Sequence, residues 1–201
     1  MILFKEFLVD MISMTFIAIF LENSIFTRAL GTSSSLLLIR KRFSVLIFGI
    51  SLTVITTLSS IVAYFVSPSL ARLDLKYNIF PLAYVTIIGL IYIILLIFGS
   101  SIFKNFNNKI KPMIHLSTFN CAVLGALLLS TQDKNSLGGF IGFGLGTGIG
   151  FLLATYFISF SYAHLTSTKI PKSFRGFPIT LIYIGIISLG FYGLIGHQLP
   201  F

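Results

Sequence analysis

Cys121 is the one thiol in this sequence, and it stands inside the run Phe119, Asn120, Cys121, Ala122, Val123, Leu124, Gly125. A thiolate is a nucleophile and a soft metal ligand, so its surroundings decide whether it reacts, ligates or simply packs. Those surroundings, Pro112 to Thr131, are apolar and long enough to cross a bilayer, since about 20 residues at roughly 1.5 Å each match a hydrocarbon core of about 30 Å. Cys121 would then lie near mid-membrane. At that depth the pair Asn120 and Cys121 must face protein, a cavity or a cofactor. The alternative is a small buried thiol beside an asparagine that holds two helices together. Glu22, Asn23 and Arg28 interrupt the first apolar run in a similar way and form a second candidate intramembrane polar site.

Other chemistry is thinly represented. One cysteine excludes a disulfide framework within the chain, and no Cys/His cluster has structural zinc spacing. His115, His164 and His197 lie near the ends of apolar runs, far apart in sequence, and read as interfacial residues. No nucleophile, base and orienting acid can be assembled from so few titratable groups, so no catalytic residue is assigned. Gly138, Gly142, Gly146 and Gly150 recur every four residues, with Gly144 and Gly148 beside them. Their spacing fits neither a dinucleotide fingerprint nor a phosphate loop, and predicts a face for close helix approach.

The elements that must position these residues are membrane helices. The chain has 201 residues, 56% of them hydrophobic and only 9% charged, far fewer charges than a water-soluble surface carries. The net charge of +9 sits in short loops, which points away from nucleic acid and toward a lipid bilayer as the chain's environment. The N-terminus enters a long apolar run past Glu6 and Asp10 with no small-residue cleavage site, against a removable signal peptide.

Six spans are expected. The first, Phe7 to Ile39, is too long for one straight crossing. Either it breaks at Gly31, Thr32, Ser33, Ser34 and Ser35 to line a site, or it ends near Leu30 before a polar loop and a short amphipathic piece. The second, Phe43 to Val66, is stopped by Pro68; the third runs from about Pro81 to Phe103; the fourth holds Cys121; the fifth is Leu137 to Ala163; and the sixth is about Pro178 to Gly196. Loops after odd spans carry Arg40, Lys41, Arg42, Lys104, Lys109, Lys111, Lys169, Lys172 and Arg175 and no acid. By the excess of Lys and Arg on the cytoplasmic side, both termini of this multi-pass inner-membrane protein face outward.

An odd number of helices per unit would turn a second copy of that unit upside down. The expected fold is therefore all-α, one membrane domain over residues 1–201, built as two inverted three-helix repeats of about 1–105 and 106–201. Each repeat opens with an interrupted span, Glu22 to Ser35 in one and Asn120 to Gly125 in the other, which places a site at their interface.

The whole chain resembles the six-helix membrane subunits shared by Rnf-type ion-translocating electron-transport complexes and Na⁺-translocating NADH:quinone reductases. The resemblance is carried by Arg28, Ala29, Leu30, Gly31, by Asn120 to Gly125, and by Phe174, Arg175, Gly176. It points to the branch of the Rnf A and quinone reductase E subunits. Membership implies an inverted repeat, pairing with a homologous sister subunit, together with an intramembrane iron–sulfur centre ligated by cysteines of the interrupted spans, with flavins on partner subunits only. After the glycine the family shows an apolar residue, a cysteine and a proline, where this chain has Thr32, Ser33 and Ser34. Cys121 thus matches a metal ligand, whereas Ser33, a harder ligand, replaces the first-span thiol. The function implied is a subunit that assists transmembrane electron transfer coupled to ion movement, not catalytic alone. The competing classes are a substrate-binding component of a vitamin transporter and a structural subunit that has lost its cluster.

Overall fold

The computed structural model describes residues 2–38, 42–72, 76–102, 110–132, 136–168 and 170–195, and its regular elements are helices. An apolar chain that cannot hydrogen-bond to lipid must satisfy its backbone internally, and the helix does this within one segment. Helix α1 (Ile2–Phe16) runs into a π-helical turn, Ile17–Leu21, and stops at Glu22; α2 (Thr32–Leu38) follows a non-helical stretch. Then come α3 (Arg42–Ala71), α4 (Lys76–Ile102), α5 (Lys111–Thr118), α6 (Cys121–Gln132), α7 (Leu137–Leu165) and α8 (Phe177–Ile195). Arg40, Lys41, Asp74, Lys104, Lys109, Asp133, Lys134, Lys169 and His197 lie outside the described residues.

Among the described residues α3, α4 and α7 are each long and apolar enough to cross a membrane, and α5 with α6 makes a fourth candidate span bent by 46°. Helix α8 is a shorter apolar helix. Two expected boundaries move. Pro68 does not stop the second span, because α3 continues to Ala71, and Pro81 lies inside α4 rather than opening it. Each proline sits within the first or last turns, where its missing N–H removes little from the ladder.

Helix α7 is the central element, and its glycines explain why. Ser136 caps it, its Oγ accepting from Gly139 N–H at 3.2 Å. Gly138, Gly142, Gly146 and Gly150 then meet Phe7, Met11, Thr15 and Ile19 in turn, so α1 runs parallel to α7. A Cβ on Gly146 would stand 2.5 Å from the Thr15 carbonyl oxygen, and one on Gly142 would overlap that of Met11. The opposite face carries Gly144 against Thr56 and Ser60, and Gly148 against Thr53, with α3 antiparallel. The sequence expectation of a glycine packing face therefore holds on both sides of the helix. Thr56 Oγ1 donates to the Gly144 carbonyl at 2.8 Å, and Phe48 packs on Phe151 with ring centroids 5.4 Å apart.

Helix α4 packs antiparallel to the α5–α6 pair, since Tyr84 bonds Thr131 at 2.5 Å while Tyr92, two turns on, bonds His115. The outer faces of α4 and α8 expose Leu82, Leu90, Ile97, Ile186 and Leu189. Such contiguous apolar surface belongs against lipid or another membrane protein.

Candidate functional site

Two breaks in helices meet halfway along α7. In the first span, the π-helical turn closes with Glu22 N–H donating to the Ile17 carbonyl at 2.8 Å. Asn23 then redirects the chain: its Oδ1 accepts from Ile25 N–H and Phe26 N–H, both at 3.1 Å, and its Nδ2 donates to the Ile19 and Gly150 carbonyls at 2.8 and 3.2 Å. All four bonding sites of the buried carboxamide are used, so Asn23 is a structural node rather than a ligand. The chain returns to helix through two residues in the left-handed region, Ala29 at φ 56° and Gly31 at φ 74°.

In the fourth span the break falls at Phe119 and Asn120. Asn120 opens α6: its Oδ1 accepts from Ala122 N–H at 2.9 Å and its carbonyl accepts from Val123 N–H at 3.1 Å. Its Nδ2 is buried and has no hydrogen-bond partner among the described residues. Cys121 is the first residue of α6.

The two breaks touch. Gly31 N–H donates to Cys121 Sγ at 2.9 Å. A Cβ on Gly31 would stand 2.5 Å from Asn120 Oδ1 and 2.6 Å from Phe151 Cε2, so side chain and backbone both demand glycine here. Leu30 fills the space above Gly125, where any Cβ would collide with its Cδ1. Gly150 and Phe151 stand midway in the 29 residues of α7, which fixes both breaks at one level.

Of the residues singled out from sequence, Gly31, Asn120 and Cys121 come together, and Ser33 follows two residues on, exposed in the first turn of α2. The Cys121 thiol is exposed. Glu22 and Arg28 form an ion pair, Nε to Oε2 at 2.6 Å, with side chains 28% and 45% exposed. His115 bonds the Tyr92 hydroxyl through Nδ1 at 2.5 Å, and Tyr92 also packs on Phe119 with centroids 5.7 Å apart. This clasp from α4 onto the second break carried no sequence signal, because a tyrosine in an apolar helix looks like any other core aromatic.

The donor set tests whether a metal–sulfur centre fits. Among the described residues no three His, Cys, Asp or Glu side chains converge. One exposed thiol, backed by an N–H donor on the sulfur, fits one of the four soft ligand positions that such a centre takes.

Residues 11–197 match the family described as Rnf-Nqr subunit, membrane protein. The chain belongs to the Rnf-Nqr membrane subunit family. It is similar to one subunit of the Na⁺-translocating ferredoxin:NAD⁺ oxidoreductase complex of Acetobacterium woodii, 29% identical over 90% of this chain and 95% of the relative. It is also similar to one subunit of the Na⁺-translocating NADH-quinone reductase of Alcanivorax borkumensis, 27% identical over 90% and 95% of the two chains. A third relative, from the ion-translocating oxidoreductase complex of Thioalkalivibrio sulfidiphilus, is 30% identical over 89% and 93%. The first and third are the A members of their complexes and the second is the E member, the branch to which Asn120 to Gly125 pointed. The match extends to nearly the whole length of these relatives, and favours the redox-complex class over the vitamin transporter. As an Rnf-Nqr subunit the chain is an integral, multi-pass membrane protein.

Proposed function

We propose that this Rnf-Nqr chain is a membrane subunit of an ion-translocating oxidoreductase complex, and that it supplies one side of an iron–sulfur centre shared with a homologous six-helix sister subunit. The observation that carries the reading is the exposed Cys121 thiol, level with the middle of α7 and accepting the Gly31 N–H. An exposed polar group at such depth is costly against lipid, so the surface bearing it wants a protein neighbour. The inverted three-plus-three arrangement gains support from the two interrupted spans meeting at one level. Outward-facing termini are supported by the one-sided basic residues.

Such a centre, when bound, supplies reversible one-electron transfer. The chain's own contribution is positioning. Cys121 ligates; Gly31 N–H donates to the ligating sulfur and stabilises its negative charge; Asn120 fixes the start of α6 by capping Ala122 N–H; Tyr92 braces Phe119 and His115 on the other side of the break. Ser33, exposed near the same surface, offers oxygen where the resemblance implies sulfur. Flavins belong on partner subunits.

The test is an affinity tag on this chain in its native host. Co-purification of a homologous membrane subunit with flavin-bearing partners, and iron in the complex, is expected. A chain that purifies alone, fully active and free of iron, would sink the proposal.

A further inference from the structure

Glu22 occupies an unfavourable place for a carboxylate. It ends a helical rod, Ile2 to Leu21, and so sits at the negative end of the helix dipole, where an acid is destabilised and a cation stabilised. The backbone adds to this. In a continuing α-helix the N–H groups of Ile25 and Phe26 would go to the carbonyls of Leu21 and Glu22, but both are taken by Asn23 Oδ1. Those two carbonyls, of Glu22 and the residue before it, lose their ladder donors. Asn23, the next residue, bonds Gly150 halfway along α7, which sets this helix end far from either end of α7. Ser24, one residue further, is 4% exposed and its Oγ is buried without a hydrogen-bond partner among the described residues. The charge is offset by Arg28, whose Nε stands 2.6 Å from Glu22 Oε2. Both side chains are partly exposed, 45% for Arg28 and 28% for Glu22, so the pair is open to exchange rather than sealed in the core.

We propose that Glu22 and the open carbonyl end of the first helix form a binding site for a small monovalent metal cation, in which the Arg28 guanidinium acts as a tethered stand-in. Hard oxygen ligands from an unwound half-helix and a carboxylate suit an alkali cation. The site is charge-balanced in both conditions, with Arg28 on Glu22 or with a metal ion on Glu22 and Arg28 turned away. That property lets a cation enter at this level without leaving a bare carboxylate, which is costly away from water. The choice of Na⁺ as the probe rests on the ion-translocating reading above, whereas the site rests on the geometry of Glu22.

The experiment uses the purified complex in detergent, with ²²Na⁺ retention and thermal unfolding measured in NaCl and in choline chloride. Wild type is expected to retain one more saturable Na⁺ than Glu22→Gln. Arg28→Gln, which removes the stand-in, is expected to unfold about 3–5 °C higher in saturating NaCl than in choline chloride. Arg28→Lys, which keeps a tethered cation, should show less than half that difference. In the double variant Glu22→Gln, Arg28→Gln it should vanish. Equal Na⁺ retention by wild type and Glu22→Gln overturns the proposal, whether or not Arg28→Gln folds. So does an Arg28→Gln complex whose stability is indifferent to the cation. Neither result touches membership of the complex, which co-purification tests separately.

Discussion

Gly31 and Cys121, 90 residues apart in sequence, are joined by a hydrogen bond from the Gly31 N–H to the Cys121 sulfur at 2.9 Å. This contact is where the broken first span meets the broken fourth. It requires the chain before Gly31 to turn through the left-handed region, and it requires Asn120 and Phe151 to come so close that no side chain fits between them.

Gly31→Ala is accordingly expected to be severe. The positive φ and the overlap with Asn120 and Phe151 act together, for a loss of roughly 2–4 kcal/mol. Ala29→Gly, at the other left-handed residue, should be neutral or stabilising by up to about 1 kcal/mol. Thermal unfolding of the detergent-solubilised complex measures both. Equal stability of Gly31→Ala and wild type would mean that the breaks do not pack as described.

The glycine face of α7 makes a sharper comparison. Gly146→Leu must displace the Thr15 backbone and Ala18, whereas a Cβ on Gly185 of α8 meets nothing among the described residues within 4 Å. Folded yield should fall strongly for Gly146→Leu and stay near wild type for Gly185→Leu, as read by size-exclusion chromatography of a fluorescent fusion. Similar yields for the two variants would place the α7 face against lipid.

The two asparagines are expected to differ. Asn23→Ala removes two accepted and two donated hydrogen bonds at a buried position and leaves Ile25 N–H and Phe26 N–H without partners. Its cost should be about 2–4 kcal/mol. Asn120→Ala strands one donor, Ala122 N–H, while removing a buried Nδ2 that has no partner among the described residues, so its cost should be smaller by at least about 1 kcal/mol. The difference in thermal midpoint between the two variants is the measurement, and a reversed order contradicts this assignment.

Much of this arrangement was legible in the residues. The repeat of glycines every four positions announced the packing face of α7, and Asn120 marked the second break. The first break was expected at Gly31 to Ser35, but the chain leaves the helix at Glu22 and Thr32 to Ser35 are helical, because Asn23 takes the N–H groups of Ile25 and Phe26 from the ladder. What the sequence did not resolve was which polar residues serve structure. Asn23 and Asn120 look equivalent as letters, yet one is fully satisfied and the other keeps an unused donor. Pro68 and Pro81 misled as boundaries, since a proline near a helix end removes a hydrogen bond without ending the helix. The pairing of His115 with Tyr92 depends on how α4 lies across α5, which is a tertiary fact.

Topology has a direct check. Reporter fusions after residues 41, 108 and 170 are expected to report cytoplasm, because those connections hold the basic clusters, and fusions at residues 75 and 134 should report the opposite side. The inverse pattern would reverse the orientation while leaving the helix packing intact.

Ser33 and Cys121 carry the last prediction. This chain offers one thiol, exposed and bonded to the Gly31 N–H, and one hydroxyl, exposed in the first turn of α2. An iron–sulfur centre prefers four soft ligands, so a shared site with serine in one position should be weakly held or unusual in spectrum. Ser33→Cys is expected to raise the iron content of the purified complex, or to shift its electron paramagnetic resonance signal toward that of an all-thiolate cluster. Cys121→Ala should remove the iron, and Cys121→Ser should lower it without loss of folded protein, since serine keeps the size and an acceptor for the Gly31 N–H. If Cys121→Ala leaves both iron content and electron transfer unchanged, the sulfur serves only as the acceptor that ties the two breaks together. Its position halfway along α7 would then be a matter of packing.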